Sequence, residues 1–301
     1  MKQYFPFIVI FSFIVLLGAV NIFLPKLPKT FALKSSPSPT TSPVLTATPF
    51  PTAFPTLVPT ASLTPIPTST PTPIDWQGLY GPCQYVPILM YHHITDNESA
   101  KAIEATYLNV PPEIFRKQLD YLASKGYNII GLDEMVAMIK DNSLPPKPVV
   151  LTFDDAYRNF YDTAYPILKE KNAKATVFVI TQFVGGERYV TWEQLMEMGN
   201  SGLILIGNHA LNHPYLSKIS PEEVRNQIIS ARNIIEKNTG KSTDFFAYPY
   251  GNSSAKAKEV LKEAGYKGAV LTTNTNPQCL GRPYDFSRIR VGATSLSRYG
   301  L

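Results

Sequence analysis

Val149-Val150-Leu151-Thr152-Phe153-Asp154-Asp155 runs five uncharged, mostly β-branched or aromatic side chains into two adjacent carboxylates. A run this short and apolar reads as a strand buried on both faces, and the acids stand where it ends. The same texture repeats on either side. Strands are predicted at 86–91, 127–130, 175–180, 203–207, 245–248, 266–272 and 288–291. Between them, helices are predicted at 111–125, 132–140, 162–171, 191–198, 222–237 and 254–264. The helix at 222 is opened by Ser220 with Glu223 three residues on, a capping box, and closed at Gly240. Regular β-α alternation implies parallel strands covered by helices. The expected fold is an irregular (β/α) barrel of about seven parallel strands, whose chemistry gathers at the C-terminal ends of the strands.

Four of those ends carry polar groups. Asp154 and Asp155 follow one strand; Asn208, His209 and His213 follow another; His92 and His93 follow the first; Pro249-Tyr250-Gly251 follows a fourth. The chain has four histidines, and all lie in these two clusters. Two histidines and one carboxylate around an open position suit a catalytic divalent metal. His209 and His213 face one way on a single turn, which Pro214 keeps short, so a turn or loop is expected there. Asp155 is the natural third ligand. A bound cation keeps both neighbouring acids ionised and frees Asp154 to take a proton from an attacking water. Taken singly, each cluster reads as well as a turn, a cap or a surface pair; four at one rim are read together.

Thr152-Phe153-Asp154-Asp155, Asn208-His209-x3-His213-Pro214 and Tyr248-Pro249-Tyr250-Gly251 resemble the first three motifs of the NodB-homology polysaccharide deacetylases, carbohydrate esterase family 4. The opening Pro87-Ile88-Leu89-Met90-Tyr91-His92-His93-Ile94 resembles a subgroup that includes the poly-β-1,6-N-acetylglucosamine deacetylases. In that subgroup the motif order is circularly permuted, and the strand bearing the acid histidine comes first. The resemblance implies Asp155, His209 and His213 as ligands of zinc or a similar ion, Asp154 as general base, and the backbone N–H of Tyr250 as an oxyanion donor. It implies His92 as general acid, with His93 the alternative. The implied reaction removes acetyl groups from an N-acetylated glycan polymer. Three departures stand out. The arginine expected two residues before Pro249 is Ala247, for which Arg288 or Arg290 is the substitute. The acidic-Trp motif is not evident, and no histidine follows His213.

The rest of the chain places this domain. Phe5 to Leu24 is an uncharged stretch of 20 residues, long enough to span a hydrocarbon core as a helix. It reads as an uncleaved anchor in preference to a signal peptide, because no good cleavage site follows it. Residues 35–74 contain 11 Pro, 11 Thr and 6 Ser, a composition for an extended, disordered stalk. The expected organisation is an anchor and flank over 1–34, a stalk over 35–74 and a deacetylase domain over 75–301. That makes a membrane-anchored protein with an extracytoplasmic domain, or a secreted one if the first segment is cleaved. Four of the 28 basic residues and none of the 23 acidic ones lie in 1–74, which leaves 24 basic against 23 acidic in the domain. No nucleic-acid partner is expected from that balance. Two cysteines exclude a four-cysteine zinc site; Cys83 and Cys279 read equally as a disulfide or as two buried thiols. Trp192, Tyr215 and Tyr250 read as sugar-stacking rings or as packing. Two other functions fit the same residues: a glycan-binding module that lost turnover with its arginine, and a small-molecule amidase or esterase.

Overall fold

A computed structural model describes residues 74–273 and 277–301. The predicted anchor and most of the predicted stalk lie outside these residues. No helix among the described residues is long and apolar enough to cross a membrane.

The chain begins with α1 (Trp76–Tyr80), β1 (Cys83–Gln84), β2 (Ile88–Tyr91) and α2 (Asn97–Ala102). Next come α3 (Pro112–Ser124), β3 (Asn128–Ile130), α4 (Leu132–Lys140), β4 (Pro148–Phe153) and α5 (Tyr165–Glu170). The middle holds β5 (Ala175–Val179), α6 (Trp192–Asn200), β6 (Ile204–Asn208) and α7 (Pro221–Thr239). It ends with β7 (Phe245–Ala247), α8 (Ala255–Glu263), β8 (Gly268–Val270), β9 (Gln278–Cys279) and β10 (Ile289–Arg290). The main sheet runs β10-β2-β4-β5-β6-β7-β8, all parallel, with β3 paired to the first half of β4. The final segment reaches both edges of this curled sheet. Phe286 bridges Val270 on one side, and Ile289 and Arg290 pair with Leu89 and Met90 on the other. The parallel α/β expectation holds, as a curled half-barrel drawn together by one short strand.

Strands β4 and β5 are buried on both faces almost throughout, which is why their sequence lacks alternation. Helix α7 starts as expected, with Ser220 accepting from Glu223 N–H and Gly240 left-handed at its end. The Glu223 carboxylate accepts from Gln227 Nε2 at 2.8 Å, so it serves a different partner from the reciprocal cap that was expected. The helix predicted over 162–171 begins earlier, as a π-turn over Phe160–Ala164. Pro166 has no N–H to continue an α pattern there, and Tyr165 N–H reaches back to Phe160 O.

Four elements carry no readable periodicity and were not expected: α1, α2, β1 and β9. Strands β1 and β9 form a separate antiparallel ribbon that pairs Cys83 with Cys279. These cysteines form a disulfide across a sequence separation of 196, which settles the choice between a bridge and two thiols. The bridge ties the start of the folded unit to the segment just before β10.

Candidate metal centre and active site

Asp154 and Asp155 sit directly after β4, and His92 directly after β2, its neighbour in the sheet, where Tyr91 pairs with Phe153. His209 follows β6. The residues from His209 to His213 form a loop rather than a helical turn, with Ala210 (φ 69°) and His213 (φ 63°) left-handed. Side chains from two elements hold that loop. Asn208 accepts from Ala210 N–H and donates to Ile228 O and Tyr266 Oη. Gln227 of α7 accepts from Leu211 N–H and donates to the Asn212 side chain. Asp155 (φ 71°), Ala156 (φ 55°) and Tyr250 (φ 58°) are also left-handed. Five of the nine non-glycine residues with positive φ among the described residues therefore cluster here, a concentration of backbone strain typical of functional sites. Beside Tyr250, Gly251 is also left-handed, and a Cβ on it would stand 2.0 Å from Thr272 Oγ1.

Three donors converge. Asp155 Oδ1 lies 3.4 Å from His209 Nε2 and 3.7 Å from His213 Nε2, and the ligand atoms of all three lie within 4.8 Å of one another. His209 Nδ1 donates to Ala247 O at 2.7 Å, which leaves Nε2 with its lone pair toward the other two. An oxygen and two imidazole nitrogens aimed at one point fit a divalent cation.

Asp154 is held differently. Arg288 donates from Nη1 and Nη2 to its two carboxylate oxygens, each at 2.7 Å. Arg288 is fully buried; its Nε donates to Leu271 O and its Nη1 also to Thr152 Oγ1. Arg288 thus fills the role left open by Ala247, and of the two candidate arginines only Arg288 reaches the acid. Ala247 contributes its carbonyl to His209.

The charges follow from these contacts. Burial pushes the Asp154 carboxyl up, but the Arg288 charge and its hydrogen bonds outweigh it and hold Asp154 below the ordinary carboxylate value. Burial acts likewise on Asp155 and is overcome by contact with His209 and the charges of His92 and His213. Burial lowers His209, but the two aspartates more than offset this and raise it above the ordinary imidazole value. Burial, with the charge of His209, pushes His213 down to about 4. Below its raised pKa a proton on His209 Nε2 therefore competes with the metal, whereas His213 is already neutral through that range. Affinity for a divalent cation is expected to fall about tenfold per pH unit below the raised His209 pKa and to level off above it. Chelator competition across pH checks this, and a flat profile would contradict it.

Asp154, Asp155, His92, His209, His213 and Tyr250 all line one pocket of about 240 Å³. His93 does not. It is buried, with Nδ1 2.9 Å from Asn159 Nδ2 and its ring stacked on Tyr157. Trp192 is not in the pocket either; it packs against the main core. Tyr215 and Tyr250 stack on each other 3.8 Å apart, and Tyr250 abuts His213. Tyr107, Leu108 and Tyr157 also line the pocket. Tyr107 and Leu108 arrive because Leu108 O and Val110 N–H bond the backbone of His93, a long-range pairing with no local signal in the sequence.

A family model described as polysaccharide deacetylase matches residues 141–269. The Bacillus subtilis protein named "Putative polysaccharide deacetylase YxkH" is 31% identical over 210 residues, covering 68% of this chain and 71% of that one. The chain belongs to the polysaccharide deacetylase family. The poly-β-1,6-N-acetyl-D-glucosamine N-deacetylase of Staphylococcus aureus is 31% identical over 187 residues, 56% of this deacetylase and 64% of that protein. The Streptococcus pyogenes deacetylase PplD, solved in complex with acetate, superposes with a TM-score of 0.65 at 31% identity, over 69% of this deacetylase and 93% of that chain. The family match contains Asp154, Asp155, His209, His213 and Tyr250. His92 and Arg288 fall outside it, one before and one after, and only the closing of the sheet brings them to this deacetylase's pocket.

Proposed function

We propose that this chain removes N-acetyl groups from an N-acetylglucosamine-containing polysaccharide at or outside the cell surface, with zinc held by Asp155, His209 and His213. The observation that carries the reading is the pairing of a converged Asp-His-His set with an adjacent aspartate held ionised by a buried arginine. When bound, the metal supplies a Lewis acid that polarises the acetamide carbonyl and acidifies water. Asp154 accepts the proton of the attacking water as its oxygen adds to the acetyl carbon. The Tyr250 backbone N–H donates to the oxygen on which charge develops. His92 gives a proton to the nitrogen as the C–N bond breaks, releasing acetate and leaving a free amine on the polymer. Burial lowers the His92 pKa while the two aspartates oppose that shift. The relatives named for glycan deacetylation support the polymer as substrate. The disulfide supports an oxidising compartment, in keeping with an anchor and stalk ahead of the domain.

Acetate release from N-acetylglucosamine oligomers by the metal-loaded chain tests this. His92→Ala is expected to lose about a hundredfold or more in kcat, with metal content unchanged. His93→Ala is expected to lower thermal stability instead, because it removes a buried ring stacked on Tyr157. Equal full activity in both variants would remove His92 from the mechanism.

A further inference from the structure

Arg290 was a candidate partner for the catalytic base, and the base is taken by Arg288. Arg290 is thereby left for another role. It lines the pocket with His92 and Tyr107. Its backbone is fixed in β10 by pairing with Met90, so its side chain starts from a rigid strand rather than a loop. Its guanidinium lies over the Tyr107 ring, 5.3 Å from the centroid. A guanidinium over a ring still has its in-plane N–H edge for an oxygen acceptor. Among the described residues no carboxylate lies within 4.0 Å of Arg290. The pocket's two acids are committed: Asp154 to Arg288, and Asp155 to the two imidazoles. Lys218, over the Tyr215 ring that stacks on Tyr250, also has no carboxylate within that distance. At the pocket itself Arg290 thus presents a cation that no carboxylate among the described residues matches.

We infer that Arg290 is a specificity-determining residue that binds an anionic group, a carboxylate or a phosphate, carried by the glycan beside the acetamide. This rests on the deacetylase reading and narrows its substrate to a negatively charged polymer. A guanidinium meets either group through paired N–H donors, and such charge-assisted bonds are the strong ones. Tyr107, 71% exposed beside it, gives the sugar ring bearing that group an apolar face to lie on.

The test compares three glycans of equal length: a neutral N-acetylglucosamine oligomer, one alternating with a lactyl-carboxylate sugar, and one bearing a phosphodiester. Equilibrium binding and acetate release are both measured with the metal-loaded 301-residue chain and with Arg290→Gln and Arg290→Lys. The parent is expected to prefer one anionic glycan over the neutral one, more so at low salt, and the preferred arm identifies the group. In R290Q that preference is expected to fall about tenfold, with partial recovery in R290K. An anionic-to-neutral ratio unchanged in R290Q, or equal binding of all three glycans by the parent, would overturn the assignment. Discriminating binding without acetate release from any glycan would instead overturn the deacetylase reading and leave Arg290's role standing.

Discussion

Arg288→Met is expected to cost about 3–5 kcal/mol of stability and to abolish most acetate release. Arg288 is fully buried and donates two 2.7 Å bonds to the Asp154 carboxylate, itself only 4% exposed. Removing the guanidinium leaves a nearly buried carboxylate with its main partner gone, the costly half of a broken buried pair. The effect has a pH signature. In the parent the Asp154 pKa is depressed below its unfolded value, so the pair's contribution is complete above the ordinary carboxylate pKa of about 4. It is lost as pH falls through the depressed value. The stability gap between parent and variant should therefore be widest near neutrality and close in acid, measured by denaturant unfolding at several pH values. In the variant, burial acts unopposed by the guanidinium and raises the Asp154 pKa, which moves the acid limb of any residual activity to higher pH. Arg288→Lys restores charge without the two-pronged geometry and should recover stability before activity. A gap that stayed constant across pH would mean that Arg288 stabilises the fold through Leu271 and Thr152 rather than through the acid.

Asp154→Asn is expected to lower kcat about a thousandfold while metal content stays at the parent level. The amide oxygen still accepts one Arg288 bond, but the amide nitrogen meets the other Nη–H and the buried guanidinium loses its counterion, so stability also falls; the side chain no longer takes a proton at neutral pH. The three convergent ligand atoms belong to Asp155, His209 and His213, which is why metal should remain. The contrast between activity and metal content separates the two adjacent acids: Asp155→Asn should lose both. Metal loss in D154N equal to that in D155N would remove the division of labour between them.

The same division separates what the residues signal locally from what their tertiary placement adds. Asp155, His209 and His213 were identifiable because strand ends share a rim in an alternating β-α chain, and the rim brings them together. The His93 alternative needed the structure, because adjacent residues after a strand point to different sides and only packing selects which one enters the pocket. His92 enters; His93 turns to Asn159 and Tyr157. The Arg288-or-Arg290 choice was undecidable locally for the opposite reason: residues two apart on a strand share a face, and only the tertiary contact sets Arg288 against Asp154. Tyr107 and Leu108 gave no signal, since their stretch is placed by the long-range backbone bonds of Leu108 and Val110 to His93 and not through periodicity.

What residue order settled for this protein was local: alternating apolar and amphipathic segments, acids and imidazoles at strand ends, and a Pro/Thr/Ser tract ahead of the domain. These depend on periodicity and composition, which neighbours along the chain encode. Curling of the sheet decided the rest. It set Arg288 against Asp154 across 134 positions, His92 beside the same acid, and Cys83 against Cys279 across 196. Such contacts depend on burial and on the meeting of two sheet edges, and neither is encoded near the residues that use them.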